Sequence, residues 1–291
     1  MTIELDEGAL TKRSGDGPAL YFASAMPTGE VKAVLGMIPG YADHGARYAH
    51  VMGALAEHGI GSVVIDLRGH GRAEGARGFC ARFDEFLDDA RELRRLVDTR
   101  ARRKGGGASE SVPAFLFGHS FGGLVATKSA LADPSAYRGL VLSAPFFGLA
   151  LDVPRVKVLA GKVMSRVYPR LGLPSGLSGK DMTHDASKAR DYDTDPLVFK
   201  NATARWFTEA TAAQAEVLAG ASRLELPLYM VFGTADKVAS MAAGKRFFDA
   251  AAATDKVWDP REGLFHEVLN EPSWKDIVDP MAKWILARAA Q

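Results

Sequence analysis

Residues 118–123 read Gly-His-Ser-Phe-Gly-Gly, directly after the apolar run Val112-Pro113-Ala114-Phe115-Leu116-Phe117 and directly before the small-residue helical pattern of residues 124–131. A serine on a strand-to-helix turn sits in strained backbone, and only residues without bulk two positions to either side let strand and helix pack so closely. The context therefore asks for a buried strand ending beside a helix N-terminus, with the Ser120 hydroxyl emerging between them. Backbone N–H groups that open a helix can stabilise an oxyanion, so the turn suits nucleophilic attack on a carbonyl.

The neighbouring sequence repeats the same grammar. Residues 31–38 form an apolar, β-branched run ending at Pro39-Gly40, as a buried strand followed by a functional loop would. Tyr48, Val51, Met52 and Leu55 recur at helical spacing, and Gly59 stands where a stop belongs. Residues 61–66 read as a second buried strand closing on Leu67-Arg68-Gly69-His70-Gly71. Residues 83–104 are helical, with Asp84, Glu85, Asp88 and Asp89 in the first turns and Arg100, Arg102, Arg103 and Lys104 at the end, as the helix dipole favours. That basic tail is better read as a solvated helix end than as a nucleic-acid patch. After a flexible Gly105-Gly106-Gly107 break comes the Ser120 element, and residues 137–145 give another strand and loop.

Strands alternating with helices at this spacing predict an α/β fold with a mostly parallel central sheet flanked by helices. The rhythm stops between Phe146 and about Thr211, where Pro154, Pro169, Pro174 and Pro196 break the segment among amphipathic pieces. It resumes with a strand over 226–233, a helix over 238–253, a short strand over 255–258 and a closing helix over 273–289. The expected organisation is thus a core in two parts, residues 1–145 and 212–291, with residues 146–211 inserted as a helical cap or lid. The alternative is a set of extra core helices, and the two differ in whether the apolar face lines a pocket.

Composition narrows the partners. Lys+Arg at 36 against Asp+Glu at 35 leaves a net charge of +1, so nothing in the total asks for nucleic acid or an anionic surface. Binding must come from a pocket. The single cysteine, Cys80, excludes an intramolecular disulfide and fits a reducing compartment, and the acidic N-terminus lacks the apolar stretch of a signal peptide. No apolar run approaches bilayer length. A cytoplasmic protein is expected. Neither H-E-x-x-H nor a cysteine pair points to a metal, and neither G-x-x-x-x-G-K-[ST] nor a strand-linked G-x-G-x-x-G cradles a nucleotide, so no cofactor is expected.

A serine nucleophile needs a base, and the base needs an orienting carboxylate. Asp236 lies just past the strand over 226–233, in Gly233-Thr234-Ala235-Asp236, and His266 lies just past the last strand, in Gly263-Leu264-Phe265-His266-Glu267. Chain order, loop position and residue type agree for nucleophile Ser120, acid Asp236 and base His266. Asp236 alone would also read as the cap of a helix starting at Val238. Of the other histidines, His44, His50, His58, His70, His119 and His184 all precede the acid. His50 and His58 are expected at the surface of the first helix, and the His119 imidazole on the sheet side of the elbow. Two N–H donors complete the constellation, from Phe121 after the nucleophile and from Tyr41 in the loop after the first buried strand. Asp66 and His70 belong to a structural loop, and Cys80 is a bystander.

Taken together, the sequence resembles the monoacylglycerol lipase and lysophospholipase family of α/β-hydrolases, also filed with serine aminopeptidase-like hydrolases. The resemblance covers about residues 31–286. It rests on Gly40 to Tyr48, on Asp66 to Gly75, on the elbow, on Asp195-Pro196-Leu197, on Gly233 to Val238 and on Gly263 to Glu267. Two departures stand out: Pro39-Gly40 replaces the usual His-Gly, and Ala73 stands where serine is common. The resemblance implies a serine carboxylic ester hydrolase with a small-molecule ester or lipid substrate, foremost a monoacylglycerol or lysophospholipid. The acyl chain would enter a cap face of Val156, Val158, Leu159, Val163, Met164, Val167, Leu171, Leu173 and Leu177, and transient contact of the cap with a membrane or micelle would follow. Short-chain or aryl esters, cofactor-free perhydrolysis or acyl transfer by the same triad, and a non-catalytic ligand-binding relative are the alternatives.

Overall fold

The computed structural model describes residues 2–11, 17–102, 111–150 and 155–291. It opens on two strands that the sequence pattern did not reveal, β1 (Ile3–Leu10) and β2 (Leu20–Pro27), paired antiparallel. Strand β1 is an edge strand carrying Glu4, Asp6 and Glu7, with Leu5 77% exposed, so it lacks the apolar run that marks a buried strand. The expected alternation follows: β3 (Ala33–Ile38), α1 (Ala49–Glu57), β4 (Ile60–Asp66), α2 (Asp84–Ala101), β5 (Ala114–His119), α3 (Phe121–Ala132) and β6 (Leu140–Ser143). Helix α2 ends at Ala101, Arg102 bridges to Ser111, and Arg103, Lys104 and the glycine run lie outside the described residues.

Next come α4 (Arg155–Val167), β7 (Gly172–Pro174), α5 (Gly179–Met182), α6 (Ala186–Thr194), β8 (Asn201–Thr203) and α7 (Ala204–Ala219). Strands β7 and β8 form their own two-stranded ladder, away from the main sheet. Helix α7 runs through residue 211, and its Ala210, Ala213 and Val217 join the core. The chain closes with β9 (Leu228–Gly233), α8 (Met241–Ala250), β10 (Lys256–Arg261) and α9 (Lys275–Ala289).

The main sheet has the order β1-β2-β4-β3-β5-β6-β9-β10; β2 pairs antiparallel with β4, and every pair from β4 to β10 is parallel. Side-chain parity divides the core into two layers. On β3, Val34 and Ile38 pack with α2, α3, α7 and α8, whereas Leu35 and Met37 pack with α1 and α9. On β5, Leu116 faces the first layer and Phe115 and Phe117 the second. Each side chain so buried contributes about 1.5–3 kcal/mol. Strands buried on both faces read as continuous apolar runs, which is why β3 to β6 and β9 were legible. Parallel pairing sends the carboxyl ends of β3, β5, β9 and β10 to one edge, where loops gather.

Candidate active site

At the end of β5 the backbone turns through Ser120 at φ 51°, ψ −119°, and α3 begins at the next residue. This left-handed conformation in a non-glycine residue is the expected strained turn. The glycines are steric requirements. A methyl on Gly118 would come 2.7 Å from the Gly123 Cα, and one on Gly122 would strike the Ile38 and Pro39 carbonyls at the end of β3. The turn is held by the Ser120 N–H donating to the Ser143 carbonyl at 2.9 Å, while the Ser120 carbonyl accepts from Gly123 and Phe146, both at 2.9 Å.

The loop after β3 passes directly over the serine. A methyl on Gly40 would lie 3.4 Å from both the Ser120 Cβ and the His119 Cδ2, and Ala42 takes φ 61° to complete the turn. Tyr41 is anchored from three sides: its hydroxyl lies 3.1 Å from the Gly78 and Asn201 carbonyls, and its ring stacks at 3.6 Å on Trp206 of α7. Burial pushes its phenol well up, so the group stays neutral.

Asp236 and His266 come together from the loops after β9 and β10. Three bonds splice those loops: Thr234 N–H to the Arg261 carbonyl at 3.0 Å, Ala235 N–H to the Leu264 carbonyl at 3.0 Å, and Gly263 N–H to the Thr234 hydroxyl at 2.9 Å. As a result His266 Nδ1 donates to Asp236 Oδ2 at 2.8 Å, with the Asp236 side chain fully buried. Asp236 Oδ1 accepts from the Val238 and Ala239 amides at 2.7 and 3.0 Å, while helix α8 starts later and takes Ser240 as its cap. Burial alone would raise the Asp236 carboxyl, but His266 and the two amides outweigh it and hold it below the usual carboxylate range. Burial would likewise lower His266, but the Asp236 charge and hydrogen bond outweigh it and raise it above the ordinary imidazole value. With Nδ1 carrying the hydrogen, Nε2 is left as the acceptor.

Ser120, His266, Tyr41 and Phe121 all line one cavity of about 690 Å³. Its walls are mostly apolar, with Phe146, Met164, Leu177, Phe199, Trp206 and Phe207 among them. Of the cap residues expected to receive a chain, Met164, Leu173 and Leu177 line the cavity, Leu171 does not, and Val163 and Val167 point outward, 52% and 73% exposed. The side chains of Val156, Val158 and Leu159 lie outside the described residues.

The other histidines have partners elsewhere, His184 bonding Glu271 through Nδ1 at 3.0 Å. His119 reaches Ser143 of β6 through Nδ1 at 3.1 Å as expected, yet its ring also lines the cavity, 4.9 Å from that of His266. Burial and the neighbouring His266 push it down to about 4, so it is neutral. His70 bonds the Arg68 carbonyl at 2.8 Å within its own loop. His50 and His58 are only half-buried rather than free at the surface: His50 donates to the Leu269 carbonyl at 2.8 Å and His58 to Asp279 at 3.0 Å. Four contacts escaped the sequence pattern. His44 Nε2 donates to Asp195 at 2.8 Å, Arg47 bonds both Asp43 and Glu267, and the buried Glu271 accepts from the Phe265 amide at 2.8 Å. Motif positions Gly40 to Tyr48, Asp195 and Glu267 were the available signal, but nothing local says that they meet. Among the described residues no cluster of side chains could hold a metal ion, and no helix is long and apolar enough to cross a membrane.

Comparison with known proteins gives the family and the fold. The profile of the family Hydrolase_4, described as serine aminopeptidase, S33, matches residues 29–273. A monoacylglycerol lipase of Mycolicibacterium smegmatis is 29% identical over 263 residues, covering 90% of this chain and 90% of that protein. Phospholipase YtpA of Bacillus subtilis is 29% identical over 247 residues, covering 84% and 92%. In three dimensions, a soluble variant of the monoglyceride lipase of Saccharomyces cerevisiae, solved with a substrate analogue, superposes with a TM-score of 0.84 over 99% of this chain and 96% of that one, at 18% identity. The fold is that of the α/β-hydrolases.

Proposed function

Because this chain belongs to the Hydrolase_4 (serine aminopeptidase, S33) family and is therefore a serine hydrolase, we propose that it cleaves the carboxylic ester of a monoacylglycerol or lysophospholipid through an acyl-enzyme on Ser120. One observation carries this assignment: His266, paired with Asp236 at 2.8 Å, lines the same mostly apolar cavity as Ser120. Its volume of about 690 Å³ lies inside the ~300–1,000 Å³ range of small-molecule pockets.

In the proposed cycle, Ser120 Oγ attacks the acyl carbonyl while His266 Nε2 takes the hydroxyl proton. The oxyanion is held by the amides of Tyr41 and Phe121, the latter a first helical residue with no intrahelical acceptor. As the carbonyl re-forms, the glycerol or phosphoglycerol oxygen departs with the proton from His266. Water, deprotonated by the same imidazole, then attacks the acyl-enzyme and releases the fatty acid. Asp236 fixes the His266 tautomer and stabilises the imidazolium in both steps.

Residues 146–211 serve in this account as the cap over the cavity. Met164, Leu173 and Leu177 are its contribution to the acyl site, while exposed Val163, Val167 and Tyr168 suit transient contact with a membrane or micelle. The test is a chain-length series of p-nitrophenyl esters, followed by monoacylglycerol against lysophospholipid. Each methylene buried should add roughly 0.8 kcal/mol until the cavity is full. A profile that falls beyond short acyl groups would point to a small-ester hydrolase instead.

A further inference from the structure

A buried ion cluster joins two loops on which the proposed chemistry depends. Arg47, whose side chain is 8% exposed, follows the loop that carries Tyr41. Its guanidinium forks onto Glu267, Nη1 to Oε1 at 2.9 Å and Nη2 to Oε2 at 2.6 Å, and Nη1 also donates to Asp43 Oδ1 at 2.8 Å. Glu267 is the residue after His266, and Asp43 lies two residues after Tyr41. Both carboxylates have further partners: Asp43 accepts from the Tyr48 hydroxyl and the His44 amide, each at 2.8 Å, and Glu267 from the Asn270 side chain at 2.9 Å.

A bidentate fork fixes direction as well as distance, and a third bond from the same plane leaves the guanidinium little freedom. We propose that Arg47 is a positioning residue that holds the loop carrying Tyr41 and the loop carrying His266 at one separation, acting through Asp43 and Glu267. This rests on the roles given above to Tyr41 and His266.

The cluster has an electrostatic side. His266 faces Asp236 from the loop after β9, His119 from the end of β5, Glu267 from its own loop and Asp43 from the loop after β3. Lys237 lines the same cavity. Asp43 and Glu267 both favour protonated His266, and both also hold the Arg47 cation charged. Without the Arg47 cation, two buried carboxylates act on the imidazole uncompensated, so the group must reach a higher pH before it is a free base.

The test uses the full chain as Arg47→Lys, Arg47→Met and the double variant Arg47→Met with Glu267→Gln. Turnover of a p-nitrophenyl ester is followed from about pH 5 to about pH 9, and thermal melting reports folding. Arg47→Lys keeps the charge and loses the fork, so kcat should fall about tenfold or more with KM within about twofold and the acid limb unmoved. Arg47→Met should lose kcat and also displace the acid limb to higher pH; adding Glu267→Gln should bring the limb back without restoring kcat. Folded Lys and Met variants with wild-type kcat and limb would overturn the proposal and leave Arg47 a brace for stability alone. If Arg47→Met does not fold, the kcat-against-KM split in Arg47→Lys decides. A wild-type protein with no esterase activity would count against the proposed reaction rather than against this role. NMR titration of the His266 imidazole, which needs no turnover, then decides: an upward shift in Arg47→Met supports the role and an unmoved titration overturns it.

Discussion

Asp236→Asn changes one atom of a buried carboxylate whose surroundings dictate how the new amide must sit. Oδ1 accepts two backbone N–H bonds, from Val238 at 2.7 Å and Ala239 at 3.0 Å. An asparagine must offer its carbonyl oxygen there, since turning the NH₂ group toward two N–H donors would leave all of them unpaired in a buried site. Its NH₂ group therefore faces His266 Nδ1, where the carboxylate now accepts at 2.8 Å. His266 must answer with a lone pair on Nδ1 and its hydrogen on Nε2, the nitrogen proposed to take the Ser120 proton. The geometry survives and the base is lost. Inverting the tautomer in a triad costs about 10⁴-fold in kcat, equivalent to about 5.4 kcal/mol of barrier. The assay is kcat for a p-nitrophenyl ester near pH 8, with a thermal melt to establish that the variant is folded. A folded Asp236→Asn protein within about tenfold of wild type would refute the reasoning, because Asp236 would then orient nothing that turnover needs.

Turnover requires neutral His266, whose pKa is raised, so kcat/KM should climb with pH through a limb above the ordinary imidazole value of about 6.5; His119, neutral above about 4, should add no second inflection. A single limb well below 6.5 in the pH–rate profile would contradict the Asp236–His266 pairing. Gly122→Ala forces a methyl against the Ile38 and Pro39 carbonyls and should destabilise the fold by about 2 kcal/mol or more, read as a drop in Tm; an unshifted Tm would deny that close approach. Met164→Trp fills part of the cavity and should shorten the preferred acyl chain, with about fourfold lost in kcat/KM for each methylene excluded. An unchanged chain-length profile would remove Met164 from the acyl site.

The parts legible in the sequence are those whose physics is local. Strands buried on both faces announce themselves as apolar runs, and the Ser120 turn announces itself through glycines that only a close strand-to-helix contact requires. Asp236 and His266 were legible because each follows a late strand within a few residues. Strand β1 stayed hidden because an exposed edge strand with Glu4, Asp6 and Glu7 has no apolar signature and gains its place by pairing with β2. The direction of the α4 side chains was beyond reach for a related reason: Val163 and Met164 are adjacent and equally apolar, yet one meets solvent and the other the cavity. Arg47 and Glu267 lie 220 residues apart, so their fork exists only once the sheet brings both loops to one edge.

The central claim is that Ser120 is an activated nucleophile. Intact-mass analysis after a fluorophosphonate probe tests it most directly, with peptide mapping of the adduct and Ser120→Ala as control. One adduct is expected, on Ser120, formed in step with loss of esterase activity and absent from a Ser120→Ala protein that melts like wild type. An unlabelled wild-type protein, an adduct at another residue, or undiminished turnover by Ser120→Ala would contradict it.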